Sequence, residues 1–255
     1  MVTLTAPAKV TLSLRVVGVR PDGYHLIDAE MVSVDLFDTL EVVEHDDPGR
    51  ASTVEVVDAV GAGDPAISAI PAGPDNLVVA ALGLAGRSAS VRLHKRIPAG
   101  AGLGGGSADA AAILRWSGTT DPDATVTIGA DVPFCVVGGR ARVSGVGEVI
   151  EPLGHVAGML TLATPPFGCS TPAVYAAWDR LGGPVADGPN DLEAAALAVE
   201  PRLMQWRDDL AAATGCEPVL AGSGSTWFVH GDHPGPGRQV VHMVSAGWKA
   251  PGTSQ

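Results

Sequence analysis

Residues 95–114 read Lys-Arg-Ile-Pro-Ala-Gly-Ala-Gly-Leu-Gly-Gly-Gly-Ser-Ala-Asp-Ala-Ala-Ala-Ile-Leu, with glycines at 100, 102, 104, 105 and 106. Ser90–Lys95 alternates like a strand and leads into these glycines, and an alanine-rich run starting at Ser107 leaves them as a helix. Without Cβ atoms a chain can curl successive N–H groups toward one centre. The helix start behind it adds unpaired N–H groups and a positive dipole end. This combination suits a polyphosphate. It is not a Walker A loop, because no Lys-Ser/Thr follows the glycines. Gly100-x-Gly102-x-x-Gly105 also satisfies the dinucleotide spacing. That oxidoreductase reading is set aside: the loop lies late in the chain, Pro98 separates strand from glycines, and Asp121 and Asp123, at ribose-binding spacing, sit among helix breakers. The ordinary alternative, a flexible linker ending in a serine cap, leaves the run of glycines between strand and helix unexplained.

Around this loop the pattern mixes strands and helices without strict alternation, which predicts an α+β fold. Over residues 8–16, Val10, Leu12, Leu14 and Val16 share one face and Lys9, Thr11, Ser13 and Arg15 the other, a strand signature. Arg20-Pro-Asp-Gly23 is a turn that holds Tyr24 and His25 at a loop edge. Strands are predicted at 31–36, 39–43, 53–57, 132–137, 141–149, 159–163, 219–220, 226–229 and 239–244. Helices are predicted from an Asp75 cap to about Gly86, from Ser107 to Trp116, and from a Thr171-Pro172 start to Leu181. Asn190-Asp-Leu-Glu193 has capping-box spacing, Pro201 separates two helices, and Gly215 ends the second. A break near 152–158 predicts two domains, residues 1–155 with the glycine loop and residues 156–255 as a second α+β unit.

The 255 residues carry a formal charge of −12, which argues against nonspecific nucleic-acid or anionic-membrane binding. An anionic substrate must therefore be met by local donors. No apolar run reaches membrane-spanning length, and Met1–Pro7 lacks the pattern of a signal peptide. Cys135, Cys169 and Cys216 read as packing residues or free thiols, and the expected location is the cytoplasm. His230-Gly-Asp-His233 hints at metal-ligand spacing but reads as a solvated turn.

The glycine loop resembles the second signature motif of the GHMP kinases, and the resemblance continues in family order along most of the chain. Ala6-Pro-Ala-Lys-Val-Thr-Leu12 is similar to the first motif and Gly222-Ser-Gly-Ser225 to the third. Gly129-Ala-Asp-Val-Pro133 and Arg20-Pro-Asp-Gly-Tyr-His25 resemble the branch that phosphorylates a diphosphocytidyl-linked methylerythritol. The resemblance implies a two-domain fold with the active site in the cleft between the domains. It also implies transfer of the ATP γ-phosphoryl group, with Mg²⁺, to a hydroxyl of that small-molecule substrate. The alternatives are a homoserine or mevalonate type of kinase, or a nucleotide-binding relative with impaired turnover.

Carried over residue by residue, the resemblance makes Lys9 and Asp131 catalytic. The nucleotide would be held by Lys95 and by the run Pro98, Ala99, Gly100, Ala101, Gly102, Leu103, Gly104, Gly105, Gly106 and Ser107, with Ser107 also a candidate magnesium contact. Asp75 and Asn76 resemble positions near the adenosine, although helix capping accounts equally well for Asp75. Thr11, Tyr24, His25, Thr171 and Tyr175 would bind the second substrate, the aromatic residues reading the cytosine. Ser223 and Ser225 would close the phosphate site or support the glycine loop. Two departures stand out: Thr11 replaces the usual asparagine, and the stretch from Leu114 to Gly129 is shortened.

Overall fold

The structure is a computed structural model that describes residues 1–47, 49–60 and 70–251. Two long strands, β1 (Val2–Val19) and β2 (His25–Glu44), form a hairpin through the Arg20–Gly23 turn. Gly23 takes φ +86° and donates its N–H to Arg20 O at 2.9 Å, a conformation that glycine reaches without strain. β2 is one strand where two were expected at 31–36 and 39–43. Asp38, between the two, is buried on internal partners, so the backbone stays extended through it. β2 organises the first sheet. Its start pairs with β5 (Arg140–Gly145), its end with β4 (Ala89–Lys95), and β1 follows its length on the other edge. β3 (Thr53–Asp58) adds parallel to β4, and β6 (Val149–Leu153) adds to β5. The expected strand at 141–149 is thus two strands. Gly145 at φ +74° and Gly147 at φ +125° turn the chain between them.

Helix α1 (Leu77–Leu84) is capped by Asn76, whose side chain accepts from Val78 N at 2.9 Å; the expected cap was Asp75. Helix α2 (Gly105–Ser117) starts two residues before Ser107, behind Gly104 at φ +68°. Ala108, Ala110, Ala111, Ala112, Ile113 and Leu114 are all buried, so this helix lies inside the molecule rather than on its surface. Gly118, left-handed, ends it as the breaker cluster predicted. The short segment beyond it holds one turn, α3 (Pro122–Thr125). Residues Val132–Val137, expected as a strand, form helix α4. Their short apolar run fits either element. Pro133 at the helix start and the Cys135 N–H···O Asp131 bond at 3.0 Å settle it as helical.

The second sheet is antiparallel in the order β10 (Gln239–His242), β7 (Met159–Ala163), β9 (Trp227–His230), β8 (Val219–Leu220). Helices α5 (Thr171–Arg180), α6 (Glu193–Val199) and α7 (Leu203–Thr214) accompany it. Ser170, not Thr171, occupies the cap position of α5. Leu192 occupies that of α6, so the expected box at 190–193 does not form as a cap.

The two sheets meet through main-chain bonds. Leu14 N–H donates to Pro189 O at 2.9 Å, Asp191 N–H to Leu14 O at 3.0 Å, and Val244 N–H to Ser33 O at 2.9 Å. Asp191 adds a carboxylate clamp: it accepts from Arg15 at 2.7 Å and from the N–H groups of Val16 and Ala186, each at 2.9 Å.

Candidate active site

The cleft begins on β1. Lys9 and Thr11 share a face, as the alternation predicts, but that face is covered too: Lys9 is 5% exposed and Thr11 1%. Lys9 Nζ donates to Thr11 Oγ1 at 3.2 Å and lies 3.1 Å from Asp131 Oδ2. Asp131 sits at the cap position of α4 yet makes no side-chain cap bond, which removes turn capping as the reason for its presence. Its carboxylate is directed at the ammonium instead, with 31% of the side chain exposed to the cleft.

The glycine loop crosses above this pair. Lys9 N–H donates to Leu103 O at 3.0 Å, and a Cβ on Gly104 would lie 2.8 Å from Lys9 Cγ. The turn at residues 221–225 supports the loop from the other side. Thr226 N–H donates to Ala101 O at 3.1 Å, and a Cβ on Gly102 would fall 2.5 Å from Gly224 O. Asn190 fixes that turn. It is 1% exposed and donates from Nδ2 to Leu220 O at 2.8 Å and Gly222 O at 2.7 Å, while its own oxygen accepts from Leu192 N–H. The sequence pattern offered only a capping role for Asn190, because the partners lie some thirty residues away.

Two cavities open here. The smaller, about 360 Å³, is lined by residues 97–107 together with Asp75, Asn76, Leu77 and Lys95. The larger, about 610 Å³, is lined by Lys9, Thr11, Tyr24, His25, Thr171, Tyr175, Asp179 and Ser223, among others. Gly102, Ser107, Asp131 and Thr171 line both.

Inside the larger cavity, His25 faces Tyr175 at 4.6 Å between ring centres and meets the edge of Trp178 at 5.6 Å. Burial raises the pKa of the Tyr175 phenol, so its hydroxyl stays protonated. Tyr24 is apart from this stack, 64% exposed, with the Arg20 guanidinium 5.8 Å from its ring centre. Thr171 Oγ1 and Ser223 Oγ are 2.8 Å apart. Ser225 is fully buried and lines neither cavity.

Lys95 lines the smaller cavity, but its ammonium is engaged: Asp38 Oδ2 lies at 2.5 Å and Asp109 Oδ2 at 2.8 Å. Burial works against its charge, yet the two carboxylates outweigh this and its pKa is raised. Burial lifts the Asp109 carboxyl to about 7, opposed by Lys95 and reinforced by Asp38. Sequence reading missed both acids. Burial, with the Asp131 charge adding to it, pushes the Cys135 thiol up to about 12, so it is inert.

Two sheets, with a glycine loop feeding a buried helix, make up the fold of the GHMP kinases. A model of the GHMP kinases N terminal domain matches residues 73–119, from the cap of α1 through the loop and α2. A putative homoserine kinase from Listeria monocytogenes aligns with a TM-score of 0.55 over 96% of this chain and 97% of that one; at 18% identity the likeness is one of fold. The crystal structure of a 4-(cytidine 5'-diphospho)-2C-methyl-D-erythritol kinase aligns with a TM-score of 0.67 and 31% identity over 91% of each chain. The 4-diphosphocytidyl-2-C-methyl-D-erythritol kinase of Cereibacter sphaeroides is 36% identical over 274 residues, 95% of both chains. The chain belongs to the 4-diphosphocytidyl-2-C-methyl-D-erythritol kinase family. Among the described residues no helix is long and apolar enough to cross a membrane.

Proposed function

We propose that the cleft transfers the γ-phosphoryl group of ATP to a hydroxyl of 4-diphosphocytidyl-2-C-methyl-D-erythritol, a step of non-mevalonate isoprenoid precursor synthesis, and that Lys9 and Asp131 carry the transfer. The observation that supports this best is the shared wall. Asp131, with Lys9 Nζ 3.1 Å away, borders both cavities, so a nucleotide tail and an acceptor hydroxyl can reach the same carboxylate.

Phosphoryl transfer demands positioning and charge stabilisation more than covalent chemistry. The N–H groups of Gly105, Gly106 and Ser107, in the first turn of α2, have no carbonyl partner within the helix and face the triphosphate as donors. An ionised carboxylate only accepts, so Asp131 takes the hydrogen bond of the acceptor hydroxyl and aims its oxygen at the γ-phosphorus. The new O–P bond forms as the bond to the β,γ-bridging oxygen breaks, and the hydroxyl proton leaves toward Asp131. Lys9 donates to the oxygens on which charge gathers.

Among the described residues no group of three or more His, Cys, Asp or Glu side chains forms a cation cage. Ser107 and Asp131 border both cavities, and their hard oxygen atoms fit magnesium, which takes most of its ligands from phosphate oxygens and water. Ser107 Oγ and the Asp131 carboxylate are the side chains that would hold it. When bound, magnesium neutralises the phosphate oxygens.

Tyr24, His25 and Tyr175 bind the cytosine, and the Thr171–Ser223 hydroxyl pair meets the substrate between base and acceptor. Thr11, shorter than asparagine, bonds Lys9 and steadies its ammonium. Lys95 acts from beneath the loop, through Asp38 and Asp109, rather than as a free phosphate ligand.

The test is Asp131→Asn in the full chain, read as ADP release dependent on the diphosphocytidyl substrate. The rate is expected to fall by ~10²–10⁴ while ATP still binds. An unchanged rate removes Asp131 from the mechanism.

A further inference from the structure

Helix α4, which carries Asp131 at its start, is only 6 residues long, too short to hold its place by its own hydrogen bonds. Phe134 and Cys135 bury it against the core, but apolar contact is non-directional. One directional contact reaches its far end. Arg115, in the last turn of α2, donates from Nη1 to Cys135 O and from Nη2 to Thr5 O, the latter at 2.9 Å. The Cys135 carbonyl has no helical partner, because the N–H that would continue the ladder, that of Gly139, is given to Ser33 Oγ at 3.1 Å. Each of these acceptors leads to one member of the catalytic pair. The Cys135 N–H bonds Asp131 O at 3.0 Å, and Thr5 lies one stretch of β1 before Lys9.

We infer that Arg115 is a positioning residue that ties α4 to β1 and thereby holds the Asp131 carboxylate at its 3.1 Å separation from Lys9 Nζ. This rests on the reading that Asp131 receives the acceptor hydroxyl. A guanidinium presents several donors in one rigid plane, so a single side chain can keep two carbonyls from different elements in register. The ordinary role of a basic residue in a last helical turn is to complement the helix dipole. That role needs only a charge near the carbonyls of α2 itself, whereas both acceptors here lie outside α2. Gly105, where α2 starts, is ~15 Å along the helix from Arg115. The influence of Arg115 therefore falls on the carboxylate and the chemical step, not on the donors that face the triphosphate.

The experiment is a kinetic double-mutant cycle on the full chain: wild type, Arg115→Met, Asp131→Asn and the two together, with kcat and KM for ATP read for each. Methionine keeps an unbranched apolar stem and removes both donors. Arg115→Met is expected to lower kcat by ~10–10², the cost of a misplacement near 1 Å, with KM for ATP unchanged. On the Asp131→Asn background the same substitution is expected to cost far less, because the group it positions no longer works. A merely structural role, in which fewer molecules fold, lowers kcat by the same factor on both backgrounds. Arg115→Lys supplies a point charge without the fork and is expected to recover only part of the rate. Where Arg115→Met does not fold, the cycle is read with Arg115→Lys. An unchanged kcat in the variant so used, or equal factors on the two backgrounds, overturns the proposal while leaving Asp131 in the mechanism. If Asp131→Asn itself keeps the wild-type kcat, the underlying reading falls as well.

Discussion

Gly102 provides a quantitative check on how the glycine loop is held. Its φ is +77°, and an added Cβ would lie 2.5 Å from Gly224 O and 2.8 Å from Ala221 O. Both are main-chain atoms of a turn that Asn190 fixes through Leu220 O and Gly222 O, so neither can rotate aside. Gly215, at the end of α7, is the matched control: φ is +68°, and nothing lies within 4 Å of an added Cβ. Gly215→Ala therefore carries only the left-handed strain, ~1–2 kcal/mol of stability. Gly102→Ala carries the same strain plus an overpacking cost of ~1–3 kcal/mol, for a total of about 2–5 kcal/mol. Where the loop shifts to relieve that contact, a displacement near 1 Å costs ~10² in kcat/KM. The assays are urea unfolding and steady-state kinetics with ATP varied, on both variants. Gly102→Ala with wild-type kcat/KM, or the same loss of rate in Gly215→Ala, would refute the claim that the turn buttresses the loop.

Asn190→Ala strands two carbonyl oxygens that were satisfied from one amide. A loss of ~1–3 kcal/mol per group is expected, seen as a lower melting temperature together with a higher KM for ATP; a change in neither would show that the turn holds itself. Asp191 supplies an acid-side prediction. Burial works to raise its pKa, but the Ala186 N–H, the Arg15 guanidinium and the Val16 N–H outweigh it and hold it below the ordinary 3.8. Its stabilising contribution is therefore complete above that value and is lost as pH falls through the lower folded value. The stability gap between wild type and Asp191→Asn, from urea midpoints, should be full at neutral pH and narrow below about pH 4; a gap independent of pH would sink it.

Local chemistry made much of this site readable in advance. The glycines had to serve a left-handed, donor-rich loop, and alternation alone put Lys9 beside Thr11. Signals of intermediate range were weaker. Val132–Val137 has the composition of a strand, and only the proline at its start and its packing beside α2 make it a helix. Asp38 passed unnoticed because its partner, Lys95, is remote in sequence. Asn190 and Asp191 read as parts of a capping box for the same reason: Asn190 binds carbonyl groups of a distant turn and Asp191 binds Arg15 and Val16 on β1, partners that leave no trace in local sequence pattern. Arg115 had no local feature that would single it out, and its significance comes from contacts made by folding. The same holds for the end of the 13-residue α2, where the buried helix gives way to a connection that holds a single turn, α3.

The wall common to the two cavities also has a pharmacological consequence. Gly102, Ser107, Asp131 and Thr171 border about 610 Å³ on one side and about 360 Å³ on the other, so the chambers adjoin at these four residues. One molecule bearing an adenosine-like head and a cytidine-like head on a tether of matching span can occupy both at once. Such tethering raises avidity by ~10²–10⁴ over either head alone, with no additional contact to the protein.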